Sequence, residues 1–120
     1  MFYTGYYSKF KQYDSAGLKT ISISRTWPNG IVPYGKIPEL YPDKDTLWSY
    51  KNGEIDEMEY TRRYLDQLDK LGIRDILLKI HHYDDDVILL CWEAPGKFCH
   101  RHILADYINR NSKLNIKEYE

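Results

Sequence analysis

The five residues Val87 to Cys91, Val-Ile-Leu-Leu-Cys, form an unbroken apolar run. A run this short and continuous has the length of a buried strand, and strands buried on both faces belong to parallel sheets covered by helices. It enters a turn, Glu93-Ala-Pro-Gly96, and then a helical pattern near residues 98–110. That helix has an inner face of His100, Leu104, Tyr107 and Ile108. Arg101 borders this face, and His102, Asp106 and Asn109 lie outside it. Strand, tight loop and helix make half of a βαβ unit. The rest of the chain has to supply strands beside this one and helices over it.

Residues 2–7 read as a short strand with Gly5 near its end, and 8–18 as a weak helical turn or loop. Residues 20–24, Thr-Ile-Ser-Ile-Ser, alternate and give a second strand with Arg25 at its carboxyl end. Trp27-Pro-Asn-Gly30 is a turn. Residues 31–43 hold Pro33, Gly35, Pro38 and Pro42 and form the longest irregular stretch. Asp45 is placed to cap a short helix through about Tyr50, ended by Asn52-Gly53. Asp56 opens a helix to Leu71, in which Met58, Thr61, Leu65, Leu68 and Leu71 recur at helical spacing. Gly72 stops it. A second helix over 73–82 follows, with a strand as the alternative, and Asp84-Asp85-Asp86 separates it from the apolar run. Residues 113–119 alternate and add an edge strand or stay loose. The expected fold is a single α/β domain over residues 1–120, a small three-layer arrangement with a mainly parallel sheet and helices on its faces. Ligands of such sheets bind beyond the carboxyl ends of the strands.

The net charge of -1 gives no basic field for nucleic acid, and Lys9, Lys11, Lys19, Arg62 and Arg63 are scattered among acids. There is no leader-like apolar segment and no run near membrane length, so the expectation is a cytoplasmic protein with neither export nor a membrane contact. Two Cys then read as free thiols in a reducing compartment. Twelve Tyr and three Trp suit either a small core short of aliphatics or a polar, aromatic-lined surface.

Several segments, in order, resemble the DUF488 family, a group of small α/β proteins without a settled common function. Thr4-Gly5-Tyr6-Tyr7-Ser8 is similar to a first-strand motif Thr-Ile-Gly-His-Ser. Ser22-Ile23-Ser24-Arg25 stands where the family often has Asp-Val-Arg, and Trp27-Pro28-Asn29-Gly30 resembles a Trp-Pro-Arg-Gly segment of one branch. Cys91-Trp92-Glu93 with Cys99-His100-Arg101 is similar to a Cys-x-Glu and Cys-His-Arg pair and is the most specific match. In this chain a serine, Ser22 or Ser24, replaces the family's Asp, and a Tyr replaces its first-strand His. If the family uses that Asp for proton transfer, the departure implies a member that binds without catalysing.

Three strand ends are expected to gather these residues. Arg25 and Arg101 present guanidinium forks suited to phosphate or carboxylate. Arg101 lies in the first turn of its helix, where the dipole disfavours a cation, so it implies a bound anion or a paired Glu, with Glu93 as the candidate partner. Glu93 is a candidate acid, base or nucleophile, or a holder of a ribose hydroxyl or of Arg25. Cys99, beside His100 at a helix start, is a candidate nucleophile, and His100 is either its partner or a satisfied core histidine. Cys91, Cys99 and His100 lack Cys-x-x-Cys spacing and an evident fourth ligand, so neither a metal, a cofactor nor a disulfide is expected. The candidate catalytic residues are therefore Glu93, Cys99 and His100. The candidate ligand-binding residues are Thr4, Gly5, Tyr6, Ser24, Arg25, Trp27 and Arg101. Tyr6, Tyr7, Trp27, Tyr34 and Trp92 are expected to flank the strand ends as surfaces for a nucleobase.

The leading reading is a protein that binds or acts on a nucleotide-like or phosphorylated small molecule. A non-catalytic sequestering or sensing module and a Tyr-rich protein-interaction domain are the alternatives. The expected partner is a small anionic ligand, with a homodimer left open.

Overall fold

The computed structural model describes residues 1–93 and 96–120. These residues form one sheet of five parallel strands in the order β3-β2-β4-β1-β5. The strands are β1 (Phe2–Tyr6), β2 (Lys19–Ser22), β3 (Gly35–Lys36), β4 (Val87–Cys91) and β5 (Lys117–Glu118). The helices are α1 (Phe10–Ser15), α2 (Lys44–Lys51), α3 (Glu57–Leu71), α4 (Ile73–His81) and α5 (His100–Asn111).

The apolar run is the central strand. Every residue of β4 is buried, with β1 paired from Phe2↔Val87 to Tyr6↔Cys91 and β2 from Lys19↔Val87 to Ser22↔Leu90. Alternation divides its side chains between two cores. Val87, Leu89 and Cys91 join Ile21, Ile23, Tyr64, Leu68, Ile76, Ile80, Leu104 and Ile108 under the larger helices. Ile88 and Leu90 join Tyr7, Tyr13 and Leu18 under α1 on the other face.

The helices form where periodicity and caps put them. The Asp56 carboxylate accepts from the Glu59 amide at 2.8 Å, capping α3. Gly72, at φ 88°, lets the chain turn directly from α3 into α4. Residues 73–82, open between helix and strand from the sequence, are helical because Ile76 and Ile80 are both buried on one face. Among the described residues no helix is long and apolar enough to cross a membrane.

The differences from the expected elements have local causes. β2 stops at Ser22, not residue 24, because the Ser22 hydroxyl donates to the Ser24 carbonyl at 2.9 Å and takes the Ser24 amide at 3.3 Å. Such local bonds compete with a strand ladder. The irregular stretch 31–43 contains β3, paired to Ile21 and Ser22. The short helix starts at Lys44, with Asp43 rather than Asp45 at its cap position. The C-terminal segment narrows to the two residues of β5 beside Tyr3 and Thr4. The turn expected at 93–96 includes Ala94 and Pro95, which lie outside the described residues.

Gly5 sits where β1 crosses under α1. A Cβ there would come within 2.6 Å of Ile88 Cδ1 and 2.7 Å of the Tyr13 hydroxyl. Gly5→Ala should therefore destabilise the fold by roughly 1–3 kcal/mol, as overpacking does, seen as a fall of several degrees in Tm. An unchanged Tm would show that the Tyr13 ring is not held against the strand.

Candidate functional site

β1 and β4 are neighbours, yet the chain leaves them toward opposite faces. After β1 it passes through a 3-10 turn, Tyr7–Lys9, into α1. After β4 it reaches α5, which packs in the larger core. Adjacent parallel strands whose connections diverge leave a crevice at their carboxyl ends, the usual ligand position in such sheets. A cleft of about 680 Å³ opens there on the α1 side. Its walls include Tyr7, Lys9 and Lys11 from the end of β1 and the start of α1, Pro28 and Ile31 from the loop after β2, and Trp92 from the end of β4.

The floor beside this cleft is a hydroxyl chain. The Ser22 hydroxyl donates to the Ser24 carbonyl and the Ser24 hydroxyl to the Thr26 carbonyl, both at 2.9 Å. This leaves Tyr7 to donate to Ser22 Oγ at 2.6 Å or Ser24 Oγ at 2.9 Å. Burial pushes the Tyr7 phenol up from its ordinary value, against the smaller opposing effect of the two serines. Trp92 is 46% exposed. Its indole N–H donates to the Thr26 carbonyl at 3.0 Å, and its ring meets Tyr7 edge-on at 5.6 Å. Trp27 packs half-buried beside the same core.

The opposite face of the strand ends holds the Cys-His-Arg stretch. Arg101 is fully buried. Its Nε and Nη2 bond Glu118 Oε1 and Oε2 at 3.0 and 2.8 Å, as a two-point pair. Nη1 donates to Cys91 Sγ at 3.3 Å and to the Glu93 carbonyl. The guanidinium carbon lies 5.6 Å from the centre of the Tyr6 ring. Thr4 Oγ1 completes the group by donating to Glu118 Oε1 at 2.6 Å. Burial would raise the Glu118 carboxyl, but the bonds from Arg101 and Thr4 outweigh it and hold the group below its ordinary value. The cation that looked misplaced at a helix start thus has its carboxylate, and that partner is Glu118 rather than Glu93.

His100 donates from Nε2 to the Ile23 carbonyl at 2.6 Å, because that oxygen can only accept. Its Nδ1 is then the basic nitrogen, 3.9 Å from Cys99 Sγ. Burial holds the imidazole down at about 4, with the Ile23 carbonyl opposing and the Arg101 charge adding to the fall. Cys91 and Cys99 are joined as a disulfide, which corrects the expectation of two free thiols. Cys91 ends β4 and Cys99 stands at the start of α5, the helix that follows, and their proximity was not suggested by the sequence separation of eight.

The structure therefore divides the expected constellation. Thr4, Tyr6, Cys99, His100 and Arg101 lie on the α5 side, and Ser24 and Trp27 on the α1 side. Gly5 meets Tyr13 and Ile88. Arg25 is exposed and donates from Nε and Nη2 to the Pro42 carbonyl at 3.2 and 3.0 Å, pinning the loop before α2. The Glu93 side chain is exposed at the end of β4. Tyr34 is away from the strand ends, beside Tyr83 near the start of β3. In the sequence Lys9 and Lys11 read only as scattered charges. Their placement beside an aromatic wall follows only from the turn that aims α1 across the end of β1.

A five-stranded parallel sheet with helices on its faces defines a small α/β domain. The DUF488-N3a family model, described as the active DUF488-N3 subclade, matches residues 7–112, and the chain belongs to the DUF488 family. No curated protein and no solved structure matches the chain.

The Glu118 carboxyl titrates lower in the folded chain than in the unfolded one. Its pairing stabilises the fold fully above its ordinary value near 4.5 and is lost as pH falls through the lower folded value. Glu118→Gln should flatten this acid limb when urea unfolding is followed from pH 7 downward. Parallel limbs in the variant and the parent would contradict the assignment.

Proposed function

We propose that this protein binds a nucleotide-like or otherwise phosphorylated small molecule in the cleft at the ends of β1, β2 and β4. The observation that carries this reading is the composition of the cleft. Trp92, Ile31 and Pro28 offer flat and apolar surface, and the side chains of Lys9 and Lys11 border the same space, with the Lys9 ammonium 5.9 Å from the Tyr6 ring at the end of β1. An aromatic ring with an attached anion uses both features, one by stacking and the other by charge. The volume of about 680 Å³ suits a ligand of that size.

In this reading the buried groups build the cleft and its surroundings. Ser24 and Tyr7 set the floor, and Trp27 backs it. Thr4, Tyr6 and Arg101 fix the end of β1 against β4, and Gly5 admits Tyr13. Lys9 and Lys11 take the anion-binding part first assigned to Arg101. Arg25 holds the loop after β2 at the rim. Glu93, exposed one residue beyond Trp92, does not line the cleft and its charge acts on Tyr50 on the other face, so in this reading it exchanges a proton only with a ligand that reaches past the end of β4. The description of the matching family as active supports turnover. The serines standing where an Asp is common in the family support binding alone, and Glu93→Gln separates the two.

The test is a thermal-shift screen against mono-, di- and cyclic nucleotides and sugar phosphates. A ligand at about 100 times its Kd adds about 2.7 kcal/mol, several degrees for a domain of this size. Lys9→Ala with Lys11→Ala should weaken binding about tenfold or more, and Trp92→Phe should reduce fluorescence quenching by the ligand. If catalysis occurs, Glu93→Gln stops loss of the ligand and leaves the thermal shift. No shift with any compound, or a shift indifferent to both lysines, would overturn the reading.

A further inference from the structure

On the opposite face from the cleft, Cys91 Sγ, Cys99 Sγ and a ring nitrogen of His100 all lie within 4.8 Å of one another, and all three residues are buried. We propose that in the reduced chain these three groups bind one thiophilic divalent cation of the zinc class. The disulfide seen here is the oxidised, metal-free form of the same site.

The donor set and its surroundings both fit. A tetrahedral zinc ion with sulfur at about 2.3 Å and nitrogen at about 2.0–2.1 Å sets its ligand atoms about 3.5–3.8 Å apart. Cys99 Sγ and His100 Nδ1 already stand at 3.9 Å. The backbone holds the two cysteine Cα atoms 7.3 Å apart, beyond the usual range of about 4.4–6.8 Å for a directly bridged pair. An ion between the sulfurs accommodates that separation.

The imidazole is also prepared for the task. Metal-binding histidines donate their second ring N–H to a carbonyl or carboxylate, which fixes the tautomer. Here Nε2–H is bonded to the Ile23 carbonyl at 2.6 Å, which leaves the Nδ1 lone pair, 3.9 Å from Cys99 Sγ, available to an ion. Arg101 Nη1, 3.3 Å from Cys91 Sγ, is a donor to the coordinated thiolate. Charge closes locally as well. Two thiolates neutralise the divalent ion, and Glu118 neutralises Arg101. Three protein ligands leave a fourth position for water or another small donor, the pattern of zinc sites that remain open.

Entry to the site takes two steps. An external dithiol gives two electrons and two protons to the Cys91–Cys99 bond, yielding two protein thiols and the disulfide of the reductant. The cation then displaces the two thiol protons, which pass to the buffer, and forms two metal–sulfur bonds and one metal–nitrogen bond.

The full chain, reduced with a dithiol and desalted without oxygen, is titrated with cobalt(II) alone and, in parallel, with zinc(II) alone. The expected result is one cobalt per chain, with sulfur-to-cobalt charge-transfer absorption and the intense visible bands of a tetrahedral site. One equivalent of zinc should remove these bands. The oxidised chain should show neither band, and Cys99→Ser and His100→Ala should each weaken binding at least tenfold. Circular dichroism identifies any variant that does not fold, and the comparison of reduced with oxidised parent stands without the variants. A reduced, folded parent that gives no charge-transfer band and retains no stoichiometric zinc would overturn the proposal. So would cysteines that stay bonded in the folded chain under the dithiol.

Discussion

The pair between the buried Arg101 and the part-buried Glu118 is the constraint on which the carboxyl end of the sheet depends. A guanidinium with no exposed surface is costly unless each face of its charge is met. Here Glu118 meets it at two points, Cys91 Sγ and the Glu93 carbonyl take a third nitrogen, and the Tyr6 ring lies beside it. These contacts come from three parts of the chain. One side chain in the first turn of α5 thus sets the end of β1, the end of β4 and the position of β5. The Thr4 hydroxyl on the same carboxylate fixes β5 beside β1 where only two residues form a ladder. Among the described residues no buried side-chain nitrogen or oxygen lacks a partner, so the polar end of the sheet is satisfied as well as closed.

That closure separates two chemical environments across a thickness of one strand. On one side is an open cleft bordered by aromatic rings and two lysines, with a chain of hydroxyls beside it. On the other is a buried cluster of two sulfurs, an imidazole and the Arg101 guanidinium, with the part-buried Glu118 carboxylate beside it. Successive residues of a strand point to opposite faces. Cys91 and Trp92 are adjacent in the chain and serve different sides, as do Tyr6 and Tyr7. The two environments share a backbone, so the position of Trp92 in the cleft depends on how Cys91 is held behind it.

The same alternation explains how far the sequence could be read. The apolar run at 87–91 and the periodic helices at 56–71 and 73–82 were legible because each carries its own pattern, and the parallel α/β class follows from their order. The short strands β3 and β5 were not, since two residues have no period and are held by distant partners: Tyr83 over Gly35, and Thr4 beside Glu118. The residue types at the strand ends were recognisable, including the need of Arg101 for a counter-charge. Its identity was hidden because Glu118 comes 17 positions later and returns only when β5 docks. The cysteine pair was hidden for a related reason, as α5 brings Cys99 back over the end of β4. Lys9 and Lys11 gained meaning only from the direction of α1.

The most direct test is a double-mutant cycle on Arg101 and Glu118, read by urea unfolding at pH 7 with Arg101→Met, Glu118→Gln and the double variant. If this pair closes the sheet, Glu118→Gln leaves the buried guanidinium without its counter-charge and costs about 3 kcal/mol or more, while Arg101→Met, which leaves the part-buried carboxylate, costs less. The double variant should then be less destabilised than the sum of the two by on the order of 1–3 kcal/mol. Additive costs would contradict the account, showing that the guanidinium and the carboxylate are held independently and that the sheet end does not rest on their bond.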